Sequence, residues 1–259
     1  MSIRPKTHLG QHFLHDRGTL MAMLAAGEVL PNETVVEIGA GNGVLTKELL
    51  LQGAIVEAYE IDEECFPLLR SLAREDDNLT LHEFSVLEGY PPQEKYKVIA
   101  NIPYYLTGTI LRLFLHVFTH QPERMVLLVQ KEVAEKIVAP DTSLLSLAVQ
   151  MYGKAKIVRR VSKGAFFPPP QVESAIIQII AHEHPVLQVD REIFFKVTRA
   201  CFHNQRKQIQ VSLRQVVNLS RDQLIDMLQE LSIDPTLRPE RLSLSQWEAI
   251  VNKFQAYLI

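Results

Sequence analysis

Cysteine is nearly absent: the chain of 259 residues has two, Cys65 and Cys201, which cannot make a disulfide framework or, unaided, a four-ligand zinc site. Glycine and proline number eleven and fourteen and follow no period, which excludes a fibrous or low-complexity chain. Long hydrophobic runs are missing as well. Stretches such as Met125–Val129 and Ala175–Ile177 fall far below the roughly 18 apolar residues of a membrane span. The opening Met1-Ser-Ile-Arg-Pro-Lys-Thr7 has no apolar core followed by a small-residue cleavage site, so export is not expected. What is present is ordinary globular balance, 47% hydrophobic and 22% charged. A soluble, cytoplasmic protein is expected, with one large domain or one plus a small companion.

The formal net charge of −3 hides a division. Residues 154–214 hold eleven Lys/Arg against four acids, a net of +7, which leaves −10 for the rest of the chain. Such a chain can offer a polyanion one basic face while staying soluble. A merely solvated basic face is the plainer alternative.

From residue 34 short apolar runs alternate with helical segments. Strands are expected at Thr34–Gly39, Ile55–Glu60, Leu79–Phe84, Tyr96–Asn101 and Met125–Gln130, with Pro91-Pro92 marking a loop. Helices are expected between them, and Asp62 could cap the one running through Leu72. This is the signature of βαβ units and a mostly parallel, doubly wound α/β sheet. Lys156–Arg160 and Ser174–Ile180 have no helix-length segment between them, so an antiparallel hairpin should close one sheet edge. Beyond His184-Pro185 only helical periodicity remains. The expected division is 1–182 and an all-α 183–259.

Chemistry concentrates at strand ends. The first strand runs into Glu37-Ile-Gly39-Ala-Gly41-Asn-Gly43, where glycines allow a sharp turn and let a ligand lie on bare backbone. The spacing lacks the third glycine of a dinucleotide fingerprint. Glu60 ends the second strand about 20 residues on, the place of a carboxylate that accepts from ribose hydroxyls. The fourth strand ends in Asn101-Ile-Pro-Tyr-Tyr105. The Asn101 side-chain oxygen and the Ile102 carbonyl, fixed by Pro103, can both accept from an exocyclic amine, while Tyr104 can stack on a base. An adenine amine is a poor nucleophile because its lone pair delocalises into the ring. Two acceptors that draw its hydrogens toward sp3 geometry re-aim that pair without a strong base.

The chain resembles the ribosomal small-subunit RNA adenine dimethyltransferases (KsgA-like). The likeness rests on Leu9-Gly-Gln-His-Phe-Leu14, Glu37–Gly43, Asn101–Tyr105, Gln130–Glu135, Phe166–Ser174, Phe202–Lys207 and Arg238–Ser243, in order along the chain. The resemblance implies a Rossmann-like fold with S-adenosylmethionine as cofactor and a small C-terminal helical domain. It implies that the N-terminal segment covers the cofactor through His12 and Leu14, that Gly39 and Gly41 face its methionine, and that Glu60 meets its ribose. Ile61 and Val86 would sandwich its adenine. Asn101 would sit between cofactor and target, with Tyr104 on one face of the target base and Phe166 closing the other side, although Phe167 competes for that place. The family usually has Asp where Ser85 stands here, so weaker cofactor binding is expected unless Glu83 or Glu88 substitutes.

The implied reaction is in-line methyl transfer to N6 of two adjacent adenines in a hairpin near the 3′ end of small-subunit ribosomal RNA, within a pre-30S-type particle. No metal and no separate base are needed, and a monomer is expected. Arg159, Arg160, Arg206 and Lys207 are the candidate phosphate contacts. The alternatives are a large-subunit adenine methyltransferase of the macrolide-resistance type and an RNA-binding assembly or transcription factor without turnover.

Overall fold

The structure, a computed structural model, describes residues 3–6, 9–89, 95–183, 186–204 and 206–259. The expected Pro91-Pro92 loop and His184-Pro185 break lie outside them. Contacts divide the chain into two compact units, Met1–Glu135 with Gly153–Ala181, and Lys136–Tyr152 with His182–Ile259.

In chain order the elements of the first unit begin with β1 (Phe13–Leu14), α1 (Arg17–Gly27), β2 (Thr34–Ile38), α2 (Val44–Leu51), β3 (Ile55–Tyr59) and α3 (Phe66–Glu75). There follow β4 (Leu79–His82), β5 (Lys97–Asn101), α4 (Thr107–Arg112), β6 (Arg124–Gln130) and α5 (Lys131–Val138), the last leading into the second unit. After α6 (Leu144–Tyr152), which belongs to the second unit, come β7 (Gly153–Val161), β8 (Phe166–Phe167) and β9 (Ser174–Ala181). Seven strands form one sheet in the order β4-β3-β2-β5-β6-β9-β7. The first five are mutually parallel, and β9 runs antiparallel to both β6 and β7. The expected edge hairpin is therefore present, with β9 inside and β7 outermost.

Strands covered on both faces must be apolar throughout rather than alternating. Val35, Val36, Val56, Ala58, Val98, Ile99, Leu127 and Val129 are fully buried, as that rule requires. α1, which precedes the alternation visible in the sequence, packs against β5, β6, β7 and β9. Asp16 caps it by accepting from the Thr19 amide. Asp62 does not cap α3, whose first residue is Phe66. Because β2 leads outward to β3 and β4 and the chain then returns to β5 and β6, the strand order reverses between β2 and β5. In open α/β sheets a crevice forms outside the carboxyl ends at that point.

The second unit comprises α6, α7 (Arg191–His203), α8 (Ile209–Leu213), α9 (Arg221–Glu230) and α10 (Leu244–Phe254). Residues 136–152, expected in the first domain, cluster with these helices instead. The reason lies in tertiary contacts. α6 packs on α7 and α10, and the Thr142 amide donates to the Glu240 carbonyl at 2.8 Å. The Arg241 guanidinium adds a bridge to Asp141. Ser220 and Ser243 close reciprocal capping boxes with Gln223 and Gln246, so α9 and α10 start where local sequence dictates. Both cysteines, one in each unit, are buried and free.

Ile99 is fully buried at the centre of the parallel sheet. Ile99→Ala should lower unfolding free energy by about 2–5 kcal/mol, read from urea denaturation, through lost apolar contact and an uncollapsed cavity.

Candidate active site

At the carboxyl end of β2 the backbone turns through Gly39 and Gly41, both with left-handed φ (+73° and +54°), a conformation that side chains resist. A Cβ at Gly39 would meet only the Asn101 carbonyl, at 3.8 Å, so the turn presents open backbone. A Cβ at Gly41 would sit 3.0 Å from the Phe13 ring of the N-terminal segment. Above this turn lies a cavity open to solvent.

Glu60, at the end of β3, is buried, and its carboxylate organises the cavity floor. Oε2 accepts from the Gly41 amide at 2.7 Å, and Oε1 from the Ile61 and Asp62 amides at 2.8 Å each. A carboxylate has about four acceptor sites, so one remains, on Oε2.

At the end of β5, Asn101 Nδ2 donates to the His12 carbonyl at 3.0 Å. With its nitrogen occupied in this way, the amide keeps Oδ1 as an acceptor for whatever enters the cavity. Ile102, Pro103 and Tyr104 line the same space. The Tyr104 hydroxyl hydrogen-bonds the buried Ser174 hydroxyl, which fixes the ring. Burial raises its phenol above the ordinary tyrosine range, so the ring stays neutral. The His12 ring lies nearly parallel to it, at 6.2 Å and 21°, and is anchored through Nδ1 to the Pro168 carbonyl at 2.7 Å.

A bare-backbone turn, a carboxylate at the next strand end and Asn-Ile-Pro-Tyr beyond them open into one cavity, and the comparisons agree with that constellation. The family model for ribosomal RNA adenine dimethylase matches residues 3–256. The chain belongs to the ribosomal RNA adenine dimethylase family. A curated relative named ribosomal RNA small subunit methyltransferase A, from Dehalococcoides mccartyi strain BAV1, is 38% identical over 96% of this chain and 88% of its own. Another of that name, from Synechocystis, is 34% identical over 100% and 99%. Among solved structures, the 23S rRNA methyltransferase ErmE superposes with TM-score 0.76 at 26% identity, covering 94% of this chain and 99% of its own. A dimethyladenosine transferase from Plasmodium falciparum, at TM-score 0.80 and 23% identity over 95% and 99%, shares the fold.

In this member of the dimethylase family nearly all the residues expected to meet cofactor or target base converge. His12, Leu14, Gly39, Gly41, Glu60, Ile61, Ser85, Val86, Asn101, Ile102, Pro103 and Tyr104 line the one cavity. Phe166 is the exception and corrects the expectation. It is 2% exposed, stands opposite Leu14 in the β1–β8 pair and belongs to the apolar core. Alternation along a strand sends neighbours to opposite faces, so Phe167, 63% exposed, is the aromatic presented to solvent. Glu83 is paired with Arg70 through both oxygens, at 2.5 Å each, and is not among the residues that line the cavity beside Ser85.

Arg159 and Arg160 are exposed on β7 of the first unit; Arg159 donates to the Gly18 carbonyl and Arg160 pairs with Glu135. Arg206 and Lys207 are exposed in the second unit. Among the described residues no group of three His, Cys, Asp or Glu could hold a metal, and no helix is long and apolar enough to cross a membrane.

Two features of the dimethylase site are absent from the sequence reading. The first is an anchor for the N-terminal segment: the buried Asp62 accepts from Lys6 Nζ at 2.5 Å and Gln11 Nε2 at 2.7 Å. Burial alone would raise this carboxyl, but the bonds from Lys6 and Gln11 hold it below the ordinary range. The partners lie more than 50 residues apart, so no local pattern reveals them. The second is Glu37, buried beside the cavity and accepting from the Thr46 hydroxyl at 2.6 Å. Burial pushes its carboxyl up to about 8, and the charge of Glu60 adds to the effect.

A carboxyl that ionises near 4.5 when unfolded but near 8 when folded makes the native state bind more protons between those values. Stability must then fall as pH rises through that window. Glu37→Gln should flatten this decline, measured as denaturation midpoints from pH 5 to pH 8; parallel profiles for the two proteins would contradict a protonated Glu37.

Proposed function

We propose that the chain transfers methyl groups from S-adenosylmethionine to N6 of two adjacent adenines in a hairpin near the 3′ end of small-subunit ribosomal RNA. The observation that carries this reading is the shared cavity. Asn101 Oδ1 and the Ile102 backbone lie at one strand end, and the Gly39–Gly41 turn with Glu60 lies at the neighbouring ends. The residues present suit the cofactor: open backbone at Gly39 for the methionine part, the remaining Oε2 site of Glu60 for a ribose hydroxyl, and the Ile61 and Val86 side chains for the adenine. When bound, S-adenosylmethionine supplies an electrophilic methyl on a cationic sulfur.

The protein's own task is placement. The N6 atom of a paired adenine is engaged in Watson–Crick bonding, so the target base must be flipped out or lie unpaired. Tyr104, held by Ser174, offers a fixed neutral ring for stacking, and Asn101, held by His12, offers an oriented acceptor. With the Ile102 carbonyl as second acceptor, both amine hydrogens are drawn out of the ring plane and the nitrogen lone pair is re-aimed. The amine proton leaves after the nitrogen becomes cationic, so no dedicated base is required. Positioning of this kind accounts for large rate effects without acid–base machinery. Arg159, Arg160, Arg206 and Lys207 would grip phosphates of a pre-30S-type particle, and the enzyme would act as a cytoplasmic monomer.

One reading competes. The likeness to the 23S enzyme at 26% identity admits a large-subunit target. The relatives at 34–38% identity carry the small-subunit name, which favours that substrate. Mass mapping of methylated adenines after incubation with small-subunit particles and with naked RNA of both subunits decides it: dimethylated neighbours in the small-subunit 3′ region are expected, and a single modified adenine in large-subunit RNA would overturn the assignment.

Asn101→Ala should lower kcat by about 10²–10³, the scale seen when one preorganised polar group is removed from a reacting centre. S-adenosylmethionine affinity should change far less, as titration calorimetry would reveal; normal turnover would dismiss the two-acceptor account. Replacing both Arg206 and Lys207 by Gln should weaken RNA binding and reduce the slope of log K against log salt by about 1–2. An unchanged slope excludes them as phosphate contacts.

A further inference from the structure

The far rim of the cavity is apolar and exposed: Ile61 is 51%, Phe84 41% and Leu87 38% accessible, with Val86 buried beneath. Among the described residues no carboxylate side chain near Ser85 lines this rim. Glu83 is held by Arg70, Asp62 by Lys6 and Gln11, and Glu88 lies outside the lining. The polar group set into the apolar wall is Ser85. It starts the short turn Val86–Glu88, and its Oγ accepts from the Leu87 amide at 3.2 Å. A hydroxyl has two lone pairs and one proton. With one lone pair used, Ser85 keeps a second acceptor site and a donor.

That combination has a consequence for the purine edge, and it rests on the reading that this rim holds the cofactor's adenine. A carboxylate at this place would only accept; it would favour an exocyclic amine and repel an oxygen. A hydroxyl accepts from an amine and, by rotating, donates to a carbonyl. We propose that Ser85 sets a relaxed purine specificity, so that this chain binds cofactors with oxygen at C6 nearly as well as those with an amine. Most of the purine's hold then comes from contact with Ile61, Val86 and the neighbouring apolar side chains, which does not distinguish the two.

Titration calorimetry with S-adenosylhomocysteine and its 6-oxopurine counterpart, S-inosylhomocysteine, tests this. The wild type should bind the two within about fivefold, the scale of one neutral hydrogen bond. Ser85→Asp should increase the preference for the amine by about tenfold or more, because a charged acceptor is stronger and repels the C6 oxygen. Ser85→Ala should weaken both ligands without separating them. Aspartate also starts turns and helices well, so the Asp variant should fold, and circular dichroism verifies it. A wild type that discriminates by more than about thirtyfold, or a ratio unmoved by Ser85→Asp, overturns the proposal while leaving the cofactor reading intact. Failure of S-adenosylhomocysteine to bind at all overturns both.

Discussion

Much of the site hangs on the hydrogen bond from Asn101 Nδ2 to the His12 carbonyl. It joins the carboxyl end of β5 to the N-terminal segment, and it decides which end of the Asn101 amide is left for a ligand. An amide can turn either way; here the carbonyl of His12 accepts from the nitrogen and so assigns the oxygen to the cavity. Without the N-terminal segment in place Asn101 would lose that direction, and the acceptor pair at the strand end would lose its geometry. The N-terminal segment and the strand end at Asn101 are therefore one structural unit.

The N-terminal segment is held at several points by different physics. Asp62 binds Lys6 and Gln11, His12 reaches the Pro168 carbonyl, and Phe13-Leu14 pair with Phe166-Phe167 as a short antiparallel sheet. Phe166 belongs to this fastening, because its ring packs into the core. Its ring is 2% exposed and so faces no solvent or cavity surface. The segment is thus one wall of the cavity, together with the turn at Gly39–Gly41 and the strand end at Asn101.

The acids near the cavity each have hydrogen-bond or ion-pair partners within the protein. Three backbone amides occupy Glu60, burial keeps Glu37 protonated near neutral pH, and Arg70 neutralises Glu83. The two buried acids, Glu37 and Glu60, are each satisfied by protein partners, as buried polar groups must be, whereas the Glu83–Arg70 pair is exposed. At the outer rim the cavity is lined by a hydroxyl, Ser85, a neutral group that can both give and take a hydrogen bond.

The amino-acid order by itself determined the alternation of strands and helices, the antiparallel edge and the helical ending, because apolar periodicity and glycine placement are local properties that burial then obeys. It also specified the chemical residues at three strand ends, since parallel strands necessarily bring their carboxyl ends to one side of a sheet. Tertiary structure alone decided the rest. Phe166 and Phe167 are identical side chains side by side, and only strand pairing distinguishes the inward one from the outward. Residues 136–152 continue from the sheet in sequence, yet the packing of α6 on α7 and α10 places them with the helices. The Lys6–Asp62 pair joins residues 56 apart in the chain, and Glu37 gains its raised carboxyl only from being enclosed. Such outcomes depend on long-range contact and desolvation, which a local pattern does not encode.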